Sequence, residues 1–168
     1  MKRIYLSGVY ETKPELCKVR AALQSMGFTV CSSWLNETDR EAEVLYRVLR
    51  GEGSEEDIAR ARYVAEMDMD DILESDIFVL FSDAKRPSPR GGCHIETGYA
   101  YGMGKEIWLV GDATSHFHHI VADLWFRDED EMLRYALTLS PASCSTPERF
   151  ATPDPAFPGA ASSAPLRA

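Results

Sequence analysis

The sequence predicts an α/β protein whose core is a doubly wound parallel sheet of about five strands, with helices on both faces. Three observations support this fold class. Short β-rich segments alternate with longer segments of helical periodicity, an alternation typical of parallel sheets. Residues 77–81 (IFVLF) form a continuous apolar run, as expected for a strand buried on both faces. The chain has 168 residues, 45% of them hydrophobic, which suits one domain of ordinary size.

The first half of the chain opens with a β-α-β unit. Residues 3–7 (RIYLS) and 28–32 (FTVCS) are β-rich segments, each bounded by glycine or polar residues. Between them, Pro14 suits the first turn of a helix whose apolar residues repeat at helical spacing. Two more helices are predicted at residues 41–50 and 54–74. A pair of glycines separates them, and a serine followed by three acids opens the second.

The second half continues the alternation after the buried strand. A polar loop with two prolines and two glycines precedes a predicted helix at residues 93–102. A fourth strand follows at residues 106–110 (EIWLV), and residues 122–126 are a candidate for a fifth, short strand. The last predicted helix covers residues 129–139.

The last 28 residues differ in composition from the rest. Six of the nine prolines lie there, with many alanines and serines and no periodicity. We therefore divide the chain into a globular domain, residues 1–140, and a tail, residues 141–168. The tail is expected to be disordered, or to pack on a neighbouring subunit with Phe150 and Phe157 as anchors.

Composition excludes several classes of function. With 27 acidic against 18 basic residues and a net charge of −9, the chain is a poor general binder of nucleic acid or anionic membranes. No apolar run approaches a membrane span, no signal-peptide core opens the sequence, and the four cysteines form no CxxC pair. A cytoplasmic protein is expected. His116, His118 and His119 lack matching carboxylate or cysteine spacing, so we expect no metal site.

In an open parallel sheet, ligands bind beyond the carboxyl ends of the strands. Four segments occupy these positions, namely Ser7-Gly8-Val9-Tyr10, residues 33–36 with Trp34, residues 82–92 and residues 111–112.

The third of these segments carries the clearest chemical signal. Arg90, Gly91 and Gly92 precede a predicted helix N-terminus, which is a natural site for anions. Glu96 falls in about the first turn of this helix, where the dipole favours its charge. An ionised carboxylate beside a glycine-lined cleft could attack a sugar carbon. Alternatively, Glu96 is a surface acid that complements the helix dipole.

An acidic helix supplies a second candidate. Asp68 lies four residues before Ile72, so an inward Ile72 would direct Asp68 toward the sheet. Most neighbouring acids, Asp70 among them, are expected on a solvated face. On the first strand, Tyr5 is expected to be half-buried, with a hydroxyl group that needs a partner.

With these residues identified, the chain resembles the nucleoside 2-deoxyribosyltransferase family, in particular its short phage and actinobacterial versions. The resemblance covers residues 4–139. Its motifs are IYLSG in the first strand, D-x-x-x-I-x-x-x-D ending at Asp76, and GG-x-H-x-E-x-G-x-A-x-x-x-GK from Gly91 to Lys105. The last motif is the most specific, because it fixes the position of Glu96.

The resemblance implies a flavodoxin-like fold, no cofactor, and cleavage of the N-glycosidic bond of 2′-deoxynucleosides. Glu96 would be the nucleophile that forms a covalent deoxyribosyl intermediate, which a second base or water then resolves. Asp68 would help to protonate the leaving base, and Tyr5 would hydrogen-bond to Glu96. Gly8 to Tyr10 would line the base pocket. An oxocarbenium-like transition state needs such a carboxylate and proton donor.

One position departs from the transferase pattern. The transferases have an aspartate six residues before the nucleophile, whereas this chain has Arg90. The related nucleoside 5′-monophosphate N-glycosidases also lose the aspartate and bind a phosphate there. Arg90 could cradle a phosphate, which would make the substrate a deoxynucleotide and the acceptor water. Alternatively, Arg90 pairs with a local acid such as Asp83 or Asp112.

Other classes of function stay open. A non-catalytic nucleotide-binding module gains little from a buried carboxylate pair, and the first strand lacks the Ser/Thr-rich phosphate loop of flavodoxin-type electron carriers. The partners expected are a nucleoside or nucleotide and a free base. Because active sites of the family lie near subunit contacts, a homodimer or higher oligomer is also expected, with residues 117–125 a possible contributor.

Overall fold

A computed structural model describes residues 1–85 and 91–140, which form one five-stranded sheet. The strands are β1 (Arg3–Ser7), β2 (Thr29–Val30), β3 (Ile77–Ser82), β4 (Glu106–Gly111) and β5 (Leu124–Phe126). All neighbours are parallel, in the order β2-β1-β3-β4-β5. This is the strand order of flavodoxin-like folds, so the predicted fold class is confirmed.

Six helices connect or follow the strands in this part of the chain. They are α1 (Lys13–Ser25), α2 (Asp39–Leu49), α3 (Glu55–Glu74), α4 (Gly92–Gly102), α5 (His118–Val121) and α6 (Glu129–Leu139). α1 contacts α6, while α3 contacts α4 and α4 contacts α5. With right-handed crossovers, these two groups cover opposite faces of the sheet, as the sequence predicts.

The helix boundaries follow local capping chemistry. Thr38 and Glu41 form a capping box that starts α2 two residues before the predicted position. Ser54 and Asp57 form a second capping box at the start of α3. Three short helical segments were not predicted, namely α5, which has four residues, and the 3-10 helices Tyr10–Thr12 and Ser33–Asn36.

The buried centre of the sheet includes a residue that was expected to be only half-buried. Tyr5 is fully buried, and its ring stacks on Phe78 of β3 with the ring centroids 5.6 Å apart. The expectation fails because β1 is a central strand with helices on both faces, so neither of its sides reaches solvent.

The second strand ends earlier than predicted, because side chains replace its backbone pairing. The Leu6 N–H donates to Ser32 Oγ at 2.6 Å, and the Trp34 indole N–H donates to the Leu6 carbonyl at 2.8 Å. Both polar groups of the Leu6 backbone are thus satisfied, and the chain leaves the sheet after Cys31, whose N–H still donates to the Ile4 carbonyl at 3.0 Å.

The sheet order places a crevice between the carboxyl ends of β1 and β3. The chain leaves β1 for β2 on one side, and leaves β3 for β4 on the other side. Connections that diverge in this way open a crevice at the switch point. The candidate residues after β1 and β3 therefore face the same space. None of the helices described is long and apolar enough to cross a membrane.

Candidate active site

Ser7 and Glu96 join the two sides of the crevice. Ser7 is the last residue of β1 and is fully buried. Its hydroxyl group donates a hydrogen bond of 2.6 Å to Glu96 Oε2 on α4. The loops after β1 and β3 thus meet at one carboxylate.

Glu96 lies deeper in its helix than the sequence indicated. Because α4 begins at Gly92, Glu96 is its fifth residue and lies in the second turn. The helix dipole acts mainly within the first turn, so it is not the main support for the charge on Glu96. Burial raises the pKa of Glu96, and the Ser7 hydrogen bond opposes this rise.

The two glycines before Glu96 have different structural roles. Gly91 caps α4 in the left-handed conformation with φ of 72°, which glycine adopts without strain. Gly92 is exposed, and a Cβ atom built on it would meet no atom within 4 Å. The backbone therefore requires Gly91, while Gly92 leaves open space at the helix N-terminus. Arg90, the residue expected to bind phosphate, lies outside the described residues.

Asp68 projects from α3 toward the same crevice. Ile72, one turn later, is fully buried against the sheet, and Asp68 is partly buried with its Oδ1 atom enclosed. Burial raises the pKa of Asp68 to about 8, and the charges of Glu96, Glu37 and Asp71 add to this effect. Asp68 therefore holds a proton at neutral pH.

The other acids of this helix face elsewhere. Asp70 is exposed, while Asp71 Oδ2 accepts a hydrogen bond of 2.7 Å from the Ser33 N–H. Asp71 therefore anchors the loop after β2.

The Tyr5 hydroxyl group lies close enough to both acids for their charges to act on it. Burial raises its pKa well above the usual range, with the charges of Glu96 and Asp68 as the next causes. The Tyr5 hydroxyl group opposes the rise in the pKa of Asp68. Tyr5 Oη and Asp68 Oδ1 are nevertheless both buried without a hydrogen-bond partner in residues 1–85 and 91–140. Among these residues the expected hydrogen bond from Tyr5 to Glu96 is not formed, and Ser7 donates to Glu96 instead.

Two of the expected pocket residues serve packing. A Cβ atom on Gly8 would lie 2.8 Å from Leu16 Cδ1, so glycine is needed for α1 to approach β1. Trp34 is buried, and its indole N–H is bound to Leu6. The substrate contacts expected of both residues stay predictions.

Val9 and Tyr10 lie at the rim of the crevice. Both are partly buried, and the Val9 carbonyl accepts hydrogen bonds from the Thr12 backbone and hydroxyl groups. The Tyr10 ring meets Tyr46 of α2 edge-to-face at 6.4 Å, and the Lys13 ammonium group lies 5.1 Å from its centroid. Tyr10 thus links the loop after β1 to α2.

Glu37 is an additional acid near the crevice that the sequence analysis missed. It is partly buried, its charge acts on Asp68 and Tyr10, and burial raises its own pKa. Lys13 opposes this rise, and its Nζ donates to the Glu37 carbonyl at 2.5 Å. The available signal was its place directly after the segment that follows β2.

Two motif residues hold the framework together. Asp76 Oδ2 accepts a hydrogen bond of 2.7 Å from the Arg3 N–H at the start of β1. Lys105 donates from Nζ to the carbonyls of Leu73 and Ser75 at 2.5 and 2.7 Å, closing the C-terminal end of α3. These contacts fix the helix that carries Asp68.

The histidines do not converge on one point. The buried His118 ring lies 5.8 Å from His94, while His116 contacts Phe117 and His119 contacts Trp125. In the described part of the chain, no three His, Cys, Asp or Glu residues are placed to hold a metal ion.

Comparisons with known proteins identify the family and proteins of similar fold. The family model described as nucleoside 2-deoxyribosyltransferase matches residues 4–135. The 2-deoxyribosyltransferase of the psychrotolerant bacterium Bacillus psychrosaccharolyticus has a similar structure, with a TM-score of 0.61 and 22% identity over 83% of this chain and 96% of that one. The Clostridium botulinum CMP N-glycosidase BcmB is also similar, with a TM-score of 0.51 and 22% identity over 80% and 97% of the two chains.

At 22% identity these two structures establish the shared fold. No curated protein sequence matches the chain. The family model, which spans the whole sheet from β1 into α6, goes further. The chain belongs to the nucleoside 2-deoxyribosyltransferase family, a family of enzymes.

Proposed function

We propose that the protein cleaves the N-glycosidic bond of a 2′-deoxynucleoside or deoxynucleotide through a covalent intermediate on Glu96, and transfers the sugar to a second base. One observation carries the proposal. Glu96 accepts a hydrogen bond from Ser7, whereas Asp68 is held protonated at the same crevice, with a pKa of about 8. Two carboxyl groups whose surroundings differ in this way can act as nucleophile and acid.

The first displacement uses both groups. A Glu96 carboxylate oxygen attacks the anomeric carbon and forms an ester bond to the sugar, while the bond from this carbon to the base nitrogen breaks. The electron pair leaves with the base, and Asp68 donates its proton to the base. The enclosed Oδ1 of Asp68 and the Tyr5 hydroxyl group, both without partners among the residues described, are polar groups that a bound substrate could satisfy.

The second displacement reverses the first. A nitrogen of the incoming base attacks the anomeric carbon, gives its proton to the Asp68 carboxylate, and releases Glu96. Two displacements at one carbon retain its configuration. The sugar thus passes between bases without any redox step.

A second candidate is the hydrolysis of a nucleoside 5′-monophosphate, with water as the acceptor. The open space around Gly92 at the N-terminus of α4 favours it, because helix N-termini bind phosphate. Arg90 precedes this site in the sequence. The competing role for Arg90, pairing with Asp83 or Asp112, stays a prediction. Asp112 already accepts a hydrogen bond of 3.2 Å from the Ala84 N–H.

Chromatography distinguishes these candidates. The purified protein is incubated with each 2′-deoxynucleoside and each 5′-monophosphate, with and without a second free base. Base exchange supports the transferase, and free base released only from monophosphates supports the hydrolase. Glu96→Gln should abolish either reaction, whereas Glu66→Gln, an exposed position on α3, should retain it. Activity retained in Glu96→Gln would refute the proposal.

A further inference from the structure

The hydrogen bond between Ser7 and Glu96 has a role beyond holding the sheet to α4. It joins residues 89 positions apart in the sequence, and its length is 2.6 Å. In residues 1–85 and 91–140, it is the one hydrogen bond that the Glu96 carboxylate receives. It engages Oε2, so Oε1 is the oxygen left to react.

The Ser7 hydroxyl group sits in a rigid part of the sheet. Ser7 pairs in register with Leu80 of β3. The preceding residue, Leu6, has both backbone groups bound by the side chains of Ser32 and Trp34. The following residue, Gly8, packs closely on Leu16. The donor therefore keeps a fixed position in the sheet.

The Ser7 hydrogen bond matters for the charge of Glu96 because this carboxyl group is buried. Burial favours a protonated carboxyl group, and the Ser7 hydrogen bond acts against burial. The titratable groups that interact with it are Tyr5 on β1 and Asp68 on α3, both protonated at neutral pH because burial raises each pKa. Asp71 acts on both of these neighbours, Glu37 acts on Asp68, and Cys93 of α4 acts on Tyr5.

We infer that Ser7 is a positioning residue that keeps Glu96 ionised and directs its Oε1 atom at the anomeric carbon, an assignment that rests on the proposed function. Ser7 thereby decides which of the two carboxyl groups attacks and which one donates a proton. The structure shows Ser7 in contact with Glu96, and the contact of Ser7 with the substrate stays a prediction.

The test compares Ser7→Ala and Ser7→Cys with the wild-type protein, using the pH profile of kcat. Alanine removes the donor, and cysteine keeps nearly the same volume with a weak donor. Both variants should lower kcat about tenfold to a hundredfold, the usual effect of a hydrogen bond to a charged group. Their KM should stay within about twofold, because the interaction is with the enzyme's own carboxylate. The acidic limb of the profile should move up by about one pH unit.

Two controls separate this role from packing. Ser75→Ala removes another buried hydroxyl group, one that bonds to the Ile72 carbonyl outside the crevice, and should leave the acidic limb in place. If Ser7→Cys behaves like the wild type while Ser7→Ala does not, Ser7 acts by packing and the inference is overturned. An unmoved acidic limb in both variants also overturns it. If Glu96→Gln is inactive, either failure leaves the proposed function standing.

Discussion

Replacing Asp68 with asparagine should remove a pH-dependent loss of stability and, at the same time, abolish catalysis. Burial raises the pKa of Asp68 from an ordinary value of 3.8 to about 8. Between these two pH values the unfolded chain ionises Asp68 while the folded chain keeps its proton. The folded state binds more protons, so its stability falls as the pH rises through this range.

The size of the effect follows from the width of this range. Each pH unit over which one group differs fully in protonation changes the free energy of unfolding by about 1.4 kcal/mol. From pH 5 to pH 8 the limit is about 4 kcal/mol, and partial access of solvent reduces it to roughly 2 kcal/mol. For a protein of this size, about 2 kcal/mol corresponds to a change in Tm of roughly 4–8 °C.

Thermal unfolding at pH 5 and pH 8, at constant ionic strength, measures this effect. The difference in Tm between Asp68→Asn and the wild type should grow by roughly 4–8 °C from pH 5 to pH 8, because only the wild type loses stability through the ionisation of Asp68 over this range. Asp70→Asn is the matched control, because Asp70 is exposed on the same helix, and it should follow the wild type at both pH values. If the difference between Asp68→Asn and the wild type is the same at both pH values, Asp68 is not a buried, protonated acid.

Three more predictions concern catalysis, folding and assembly. The kcat–pH profile should be bell-shaped. The rate should fall as the pH rises through about 8 because Asp68 loses its proton, and it should fall in acid because Glu96 must be ionised. A flat alkaline limb would contradict the role of Asp68. In urea unfolding, Gly91→Ala should lower the free energy of unfolding by about 1–2 kcal/mol, because the φ of Gly91 is positive. Gly92→Ala should lower it by less than about 0.5 kcal/mol, and equal losses in the two variants would contradict this. Light scattering should find at least a dimer that Phe117→Asp weakens, because Phe117 is exposed; a wild-type monomer would refute it.

Much of the fold could be predicted from local sequence. The run at residues 77–81 could hardly be anything other than a central strand, and β3 covers it with one residue more. The second strand was less predictable, since its end depends on Ser32 and Trp34 reaching back to Leu6. Such tertiary hydrogen bonds leave no trace in local composition. α5 has one turn, too short to show periodicity.

The candidate site, like the fold, could be predicted only in part. The spacing of Asp68 and Ile72 indicated an inward carboxyl group because both residues lie on one helix. The partner of Ser7 could not be predicted, because Glu96 is 89 residues away and the contact depends on how α4 crosses β1. For the same reason, sequence alone could not show that Ser7 donates the hydrogen bond to Glu96 that was expected from Tyr5. The position of Glu96 in its helix shifted because α4 starts one residue earlier than expected.

Intact-protein mass spectrometry after a rapid acid quench would detect the covalent intermediate on Glu96. The protein is mixed with a cleavable deoxynucleoside or deoxynucleotide, without an acceptor base, and then digested to locate the adduct. We expect a deoxyribosyl adduct, or its 5′-phosphorylated form, on the peptide that carries Glu96, and no adduct in Glu96→Gln. An adduct on another residue, or release of base by Glu96→Gln at the wild-type rate, would refute the role of Glu96 as the nucleophile.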